Sequence, residues 1–267
     1  MTQPRPYRII QISDTHIAAN PERALLGVTL RTSFNAVVEL VRQHELNQMD
    51  LILLTGDISH DGSETSYLYA ANTLKSFNVP VYAILGNHDD ALTMASVYPC
   101  HTMRTDKQII LGPWQIILLN SHVPGQVHGL LNEQELEYME HCLQQYPDKQ
   151  AIIVFHHHPL PVGSQWLDKL GLINARAFWR IISNYANVHT VLFAHVHMAF
   201  QHHVQQIPCY SPPSTCIQFK RGVVHFALDH VPPGYRWINL HPNGQLETDI
   251  RRTEHYIGVF DRDAKGY

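Results

Sequence analysis

The 267-residue sequence lacks any apolar run of bilayer length: stretches such as "LILL", "IILL" and "AIIVF" fall far short of the roughly 20 residues a spanning helix needs. Its opening, "MTQPRPYRIIQISD", has no apolar segment of the signal-peptide kind, so a cytoplasmic location is expected. Cysteine is scarce. Cys100, Cys142, Cys209 and Cys216 form no C-x-x-C pair and no secreted-type framework, and they read as reduced thiols. Positive charge is scarce too: 19 lysines and arginines face 23 aspartates and glutamates, and the arginines are scattered. This argues against a nucleic-acid polymer held by a stripe of phosphate contacts, so any phosphate chemistry here needs a local source of positive charge. No Gly- or Ser-rich linker, repeat or low-complexity segment divides the chain. Residues 1–267 are therefore taken as one domain, with 251–267 as a charged surface tail.

What is present is ample apolar content, 45%, in short runs that alternate with amphipathic stretches. That is the pattern of an α/β fold, strands feeding helices and returning to a buried sheet. Strands are expected near 8–12, 50–54, 80–85, 108–111, 115–119, 150–155 and 189–193. Residues 29–46 place Leu30, Phe34, Val37 and Val41 on one helical face. Residues 132–145 start at Asn132 with Glu135 three positions on, like a capping box. After His197 the texture changes to short β-rich pieces with Pro-rich turns, which read as hairpins and a second sheet.

Histidine is abundant, 20 in all, and some of it stands where strands end. "IIQISDTH" runs into Asp14 and His16, "LILLTGD" into Asp57, and "VYAILGNHD" into Asn87, His88 and Asp89. "AIIVFHHH" runs into His156, His157 and His158, and "TVLFAHVH" into His195 and His197. Each fragment alone has an ordinary reading as a turn or cap, since Gly, Asn and Asp favour turns. Together they are more informative, because ligands in α/β folds bind beyond the carboxyl ends of the strands and five strands here end in metal-capable groups. In an extended segment residues i and i+2 share a side, so Asp14 with His16, and His195 with His197, are each expected to face one centre. A donor set of carboxylate, amide and imidazole without sulfur suits iron, manganese, cobalt or zinc better than calcium.

These blocks, from D-x-H at Asp14 to H-x-H at His197, resemble the calcineurin-like metallophosphoesterases. "ALLGV", "HHHPLPVGSQWLD", "PSTCIQFK" and "PGYRW" extend a closer resemblance, to the bacterial class III 3′,5′-cyclic-AMP phosphodiesterases, over nearly the whole chain. The resemblance implies a four-layer αββα sandwich with a dimetal site at the C-terminal ends of the strands. It implies Asp14, His16, Asp57 and His197 around one ion, and Asp57, Asn87, His156 and His195 around the other, with Asp57 bridging. It also implies catalytic roles for Asp57 and His88, with Asn87, His88, His156 and His197 at the substrate. Ala194 stands where the family usually has glycine. Two such ions can activate a water for in-line displacement and neutralise phosphoryl oxygens, which supplies the missing positive charge. His88 is expected at the departing oxygen.

Among the three histidines the strand-end position favours His156. His157 points to the opposite side of an extended segment, and His158 is turned by the proline that follows it. Both are left as substrate-side or supporting groups. Phe219, Tyr235 and Trp237 are offered as surfaces for a base. The expected activity is hydrolysis of 3′,5′-cyclic AMP to 5′-AMP with two ions, iron or manganese before zinc or cobalt. Glycerophosphodiesters and 2′,3′-cyclic nucleotides are the alternative substrates. Expected partners are the cyclic nucleotide and, at most, a second copy of the chain as a homodimer; no membrane is expected.

Overall fold

A computed structural model describes residues 5–254. In chain order it holds β1 (Tyr7–Ile12), β2 (Ala24–Leu25), β3 (Val28–Thr29), α1 (Leu30–Glu45), β4 (Leu51–Thr55), α2 (Glu64–Leu74), β5 (Val81–Ile84), α3 (Ala91–Val97) and β6 (Met103–Arg104). There follow β7 (Gln108–Leu111), β8 (Trp114–Leu118), α4 (Glu133–Gln145), β9 (Gln150–Val154), α5 (Ala175–Ile182) and β10 (Val188–Leu192). The last elements are β11 (Phe200–Val204), β12 (Ile207–Ser211), β13 (Gln218–Phe219), β14 (Leu228–Asp229), β15 (Gly234–Leu240) and β16 (Leu246–Arg252).

Two six-stranded sheets result, in the orders β16-β15-β1-β4-β5-β6 and β11-β12-β10-β9-β8-β7. Strands β1, β4 and β5 are parallel neighbours, as are β8, β9 and β10. The alternation of side chains along each strand sorts them into three cores. Leu51 and Leu53 of β4 meet Ile152 and Val154 of β9 between the sheets. Ile52 and Leu54, on the opposite side of β4, pack with Phe34, Val37 and Val41 of α1 and Tyr67 and Leu74 of α2. Ile153 and Phe155 pack with Met139 and Leu143 of α4 and Phe178 of α5. Each fully buried Leu, Ile or Phe contributes about 1.5–3 kcal/mol relative to exposure. The layers are thus helix, sheet, sheet, helix, as the resemblance implies, and no helix among the described residues is long and apolar enough to cross a membrane.

Three expectations need correction. The pieces after His197 do not form one second sheet: β11–β12 extends one main sheet, β15–β16 extends the other through antiparallel pairing of β15 with β1, and β13–β14 stands apart as a two-stranded sheet. Arg251 and Arg252 belong to β16 and pair with Tyr235 and Gly234, so the supposed tail is sheet at its start; its residues 255–267 lie outside the described residues. At α4 only half of the capping box forms. Asn132 accepts the Glu135 N–H, but the Glu135 carboxylate takes the Asn120 N–H (2.9 Å) and Lys107 Nζ (2.6 Å) instead of reaching back to the cap.

Candidate metal centre

Because β1, β4, β5, β9 and β10 run the same way within their sheets, their carboxyl ends lie along one edge of the sandwich, and hydrogen bonds stitch the two sheets together there. Gln11 Nε2 donates to the Phe193 carbonyl (3.1 Å), and the His195 N–H donates to Asp14 Oδ1 (3.2 Å). The His88 N–H donates to Asp57 Oδ1 (2.9 Å), which fixes the loop after β5 on the loop after β4.

Five of the seven candidate ligands are not extended. Asp14, His16, Asp57, His195 and His197 have φ of 53°, 46°, 49°, 68° and 45°. Asp14 and His16 still converge, together with Asp57 and His197, but through left-handed residues beyond the strand ends rather than through a strand period, while His195 groups with His156 and His157. Non-glycine residues held there cost roughly 1–3 kcal/mol each, and such strain gathers at functional sites. Main-chain bonds impose it: Asp14 N–H donates to the Gly56 carbonyl (3.1 Å) and His16 N–H to the Asp57 carbonyl (2.9 Å). Gly86 permits the close approach, since a Cβ there would lie 2.2 Å from both the nitrogen and Oδ1 of Asp57. Ala194 is absent from the left-handed set, its N–H donates to the His156 carbonyl (2.8 Å), and its methyl is buried without backbone strain.

Asp14, His16, Asp57 and His197 bring one donor atom each to within 4.8 Å of one another, all buried. His197 Nδ1 bonds the Ile217 carbonyl (3.1 Å), which makes Nδ1 the protonated nitrogen and turns Nε2 toward Asp14 Oδ1 (3.5 Å) and His16 Nε2 (3.1 Å). His156 is arranged alike: Nδ1–H donates to the Thr55 carbonyl (2.8 Å) and Nε2 faces Asp57 Oδ2 at 3.4 Å. The rings of His156 and His195 lie 5.2 Å apart.

A cation is what this arrangement asks for. Asp14 Oδ2, Asp57 Oδ2, Asn87 Oδ1, His156 Nε2 and both ring nitrogens of His195 are buried without a hydrogen-bond partner. So many orphaned polar atoms, most of them acceptors, are costly in one place unless an ion binds there. Burial pushes His16 and His195 well below the usual imidazole range and His197 down to about 3, so these rings are neutral and able to offer lone pairs. Burial and the neighbouring Asp57 raise Asp14 to about 7. Burial acts against the charged forms of both Asp57 and His156, yet their mutual attraction holds Asp57 well below the carboxylate range and raises His156 to about 9.

The other histidines of the triplet separate cleanly. His157 Nε2 faces the Val127 carbonyl (3.1 Å), an acceptor only, so it carries the proton, and Nδ1 accepts from Ser121 Oγ (2.8 Å). Both nitrogens are thus engaged, although the ring lies 4.8 Å from that of His195. His158 is buried and lies nearly parallel to His195, 5.7 Å away, as a backing for that ring. Asp89 is more than a turn residue: its carboxylate accepts from the backbone N–H of Ile58, Ser59 and Gly86 and from the Tyr67 hydroxyl, binding two loops together.

Sequence reasoning missed two neighbours. His60 lies parallel to His88 at 5.7 Å, three residues beyond Asp57 in "GDISH", a spacing that could have drawn notice. Cys216 Sγ lies 4.0 Å from His197 Nδ1, behind the ring, and burial raises its thiol to about 12. Two of the three aromatics offered for a base are elsewhere. Tyr235 is buried with its hydroxyl donating to Glu45 Oε1 (2.7 Å), and Trp237 lies under the Arg8 guanidinium. Phe219 does stand at the centre, stacked 4.3 Å from His197.

The model of the calcineurin-like phosphoesterase family matches residues 7–199, the stretch that carries every candidate ligand. The chain belongs to this family. Among its relatives, 3′,5′-cyclic adenosine monophosphate phosphodiesterase CpdA of Vibrio vulnificus is 41% identical over 97% of this chain and 95% of the relative. The protein of the same name from Escherichia coli K12 is 37% identical over 97% and 94%. Among solved structures, a dimetal phosphatase from Danio rerio matches with a TM-score of 0.68 at 12% identity, over 94% of this chain and all of that one. The purple acid phosphatase PPD1 of yellow lupin also gives 0.68 at 12% identity, over 97% of this chain and 54% of its own. These two show the shared fold.

Proposed function

We propose that the protein is a dimetal phosphodiesterase that hydrolyses 3′,5′-cyclic AMP to 5′-AMP. The observation that carries this reading is the convergence of orphaned acceptors from five strand ends, in a chain 36–41% identical over 97% of its length to proteins named for that activity. Asp14, His16, Asp57 and His197 would hold one ion and Asp57, Asn87, His156 and His195 the other, with Asp57 shared. Iron or manganese suits these nitrogen and oxygen donors, and zinc or cobalt could substitute. Bound there, two cations supply the positive charge that activates a water and neutralises the phosphoryl oxygens.

The chain's own residues do the rest. The His156 and His197 tautomers are set by backbone carbonyls, so their donor atoms need no rearrangement to bind. Asn87 and His88 line the cavity beside the centre, where a diester would rest. As water adds to phosphorus and the P–O3′ bond breaks, His88 donates a proton or hydrogen bond to O3′. Asp89 and Gly86 hold the loop that presents it. This reading treats residues 1–267 as one cytoplasmic unit, supported by the pairing of β1 with β15 and by four free cysteines.

Steady-state assays of the manganese- or iron-loaded protein test the substrate. The expected kcat/KM is higher for 3′,5′-cyclic AMP than for glycerophosphocholine, 2′,3′-cyclic AMP or a phosphomonoester. Preference for any of these would retain the metal centre and overturn the assignment. A second expectation separates neighbouring histidines. His156→Ala should remove one metal equivalent and abolish turnover, whereas His157→Ala, which loses only bonds to Ser121 and Val127, should keep metal content near two. Equal depletion in elemental analysis would show that His156 is not the ligand.

A further inference from the structure

Next to the proposed centre a second group of donors meets, of which the centre uses only His16. One ring nitrogen each of His16, His60 and His88 lies within 4.8 Å of the other two. The His60 ring is parallel to His88 at 5.7 Å and edge-on to His16 at the same distance. Main-chain bonds fix where His60 stands. Its N–H donates to the Ile17 carbonyl (2.8 Å), the Ile17 N–H donates to the Ile58 carbonyl (2.9 Å), and Asp61 Oδ2 accepts the Ala19 N–H (2.8 Å). The loop after β4 thus holds His60 against the chain that carries His16, as the bond from the His88 N–H to Asp57 holds the third ring. His60 Nδ1 is shut from water with no hydrogen-bond partner, as are Asp57 Oδ2 and His156 Nε2 in the centre. His16 is buried, but His60 and His88 are partly exposed. His88 also lines the cavity beside the centre, where Trp166, Phe219 and Phe226 offer an ion no donor, so a cation can reach the pair from solvent. Asp57 and Asp61 lie close enough to attract a cation at His60, with Arg23 opposing.

We propose that His60 and His88 form a third cation site, which takes a zinc-class ion in excess of the two in the centre and inhibits the protein by occupying the His88 ring. The proposal rests on the dimetal reading above, in which His88 acts on the departing oxygen. Imidazole suits zinc, copper and nickel, whereas carboxylate and water suit manganese and magnesium, so the site selects among ions. Zinc binds imidazole nitrogen at about 2.0–2.1 Å, which sets two nitrogens on one tetrahedral ion about 3.4 Å apart. Rotation of the two partly exposed rings closes the remaining distance. His16 Nε2 faces Asp57 Oδ2 (3.7 Å) and His197 Nε2 (3.1 Å), so it stays with the centre, and water completes the coordination of the third ion. Two protein ligands make a weaker site than the four proposed for each ion of the centre, so it fills only at higher metal concentration. A His88 nitrogen bonded to that ion can no longer carry a proton to O3′.

The test uses protein reconstituted with zinc alone, so that exchange at the centre cannot imitate the effect. Raising free zinc in equilibrium dialysis should carry the bound metal from two equivalents to three, and cyclic AMP hydrolysis should fall as the third binds. His60→Gln keeps a polar side chain of similar size and offers no imidazole. It should hold two equivalents, lose the third over the same range, and raise the half-inhibiting zinc concentration by about tenfold or more. Saturation of the unaltered protein at two equivalents, or a third equivalent retained in His60→Gln, would overturn the third site and leave the dimetal reading standing. Loss of a centre equivalent in both His60→Gln and His60→Ala would also overturn it, by showing that His60 serves the centre. A third equivalent that leaves hydrolysis unchanged would overturn the inhibition. Saturation of the unaltered protein below two equivalents would overturn this site and the dimetal reading together.

Discussion

Replacement of Asp57 by asparagine is expected to empty both metal positions and to lower phosphodiester hydrolysis by about 10³-fold or more. Asparagine is the informative choice because it preserves shape. Its carbonyl oxygen can still accept the His88 N–H, so the loop after β5 should stay in place and the melting temperature should fall little. What is lost is the charge that draws His156 Nε2 to 3.4 Å and His16 Nε2 to 3.7 Å from the same oxygen. A shared carboxylate predicts that the two equivalents leave together, and elemental analysis after reconstitution measures this. Loss of one equivalent with the other fully retained would show that Asp57 serves a single ion, and two retained equivalents would remove it from the centre altogether.

His88→Ala should behave in the opposite way, with metal content near two equivalents and a rate lower by about 10²–10⁴-fold for cyclic AMP. The ring meets the candidate ligand His16 in T-shaped contact at 4.8 Å, and the proposed role is at the departing oxygen. That role predicts a dependence on the leaving group. A p-nitrophenyl diester departs as a stabilised anion and needs little protonation, so the variant should keep far more of its activity on it than on cyclic AMP. An equal loss on both substrates would mean that His88 acts on structure or on the attacking water.

Much of the centre was legible in the sequence because strands are simple. An apolar run that stops at Asp14, Asp57, Asn87, His156 or His195 places that residue at a sheet edge, and parallel pairing brings the edges together. The local path of the chain was not legible. Five of the seven candidate ligands sit at positive φ, which no hydrophobic period reports, so the i, i+2 reasoning does not describe how Asp14 and His16 come together. Helices α2, α3 and α5 went unplaced. In "ETSYLYAANTL" the apolar stripe is diluted by small and polar residues whose burial depends on tertiary contacts, and α5 has only eight residues. Trp166 was hidden for another reason. Nothing in "GSQWLDK" distinguishes a tryptophan wholly in the core from one that also lines a cavity, because that depends on Phe219 and Phe226 more than fifty residues away.

The pairing of β1 with β15 has a consequence for how the protein comes into being. His197 completes the candidate ligand set, yet the carbonyl that orients it belongs to Ile217, the hydroxyl that braces the Asp14 carbonyl belongs to Ser214, and the strand that covers the open side of β1 ends at Leu240. At about 5–20 residues per second, a ribosome leaves the first sheet with β1 as a raw edge for several seconds after the last ligand is made. Such an edge is an invitation to other strands, including those of neighbouring nascent chains. A chain halted just after residue 199 would therefore carry every proposed ligand and still be an aggregation hazard in place of an enzyme.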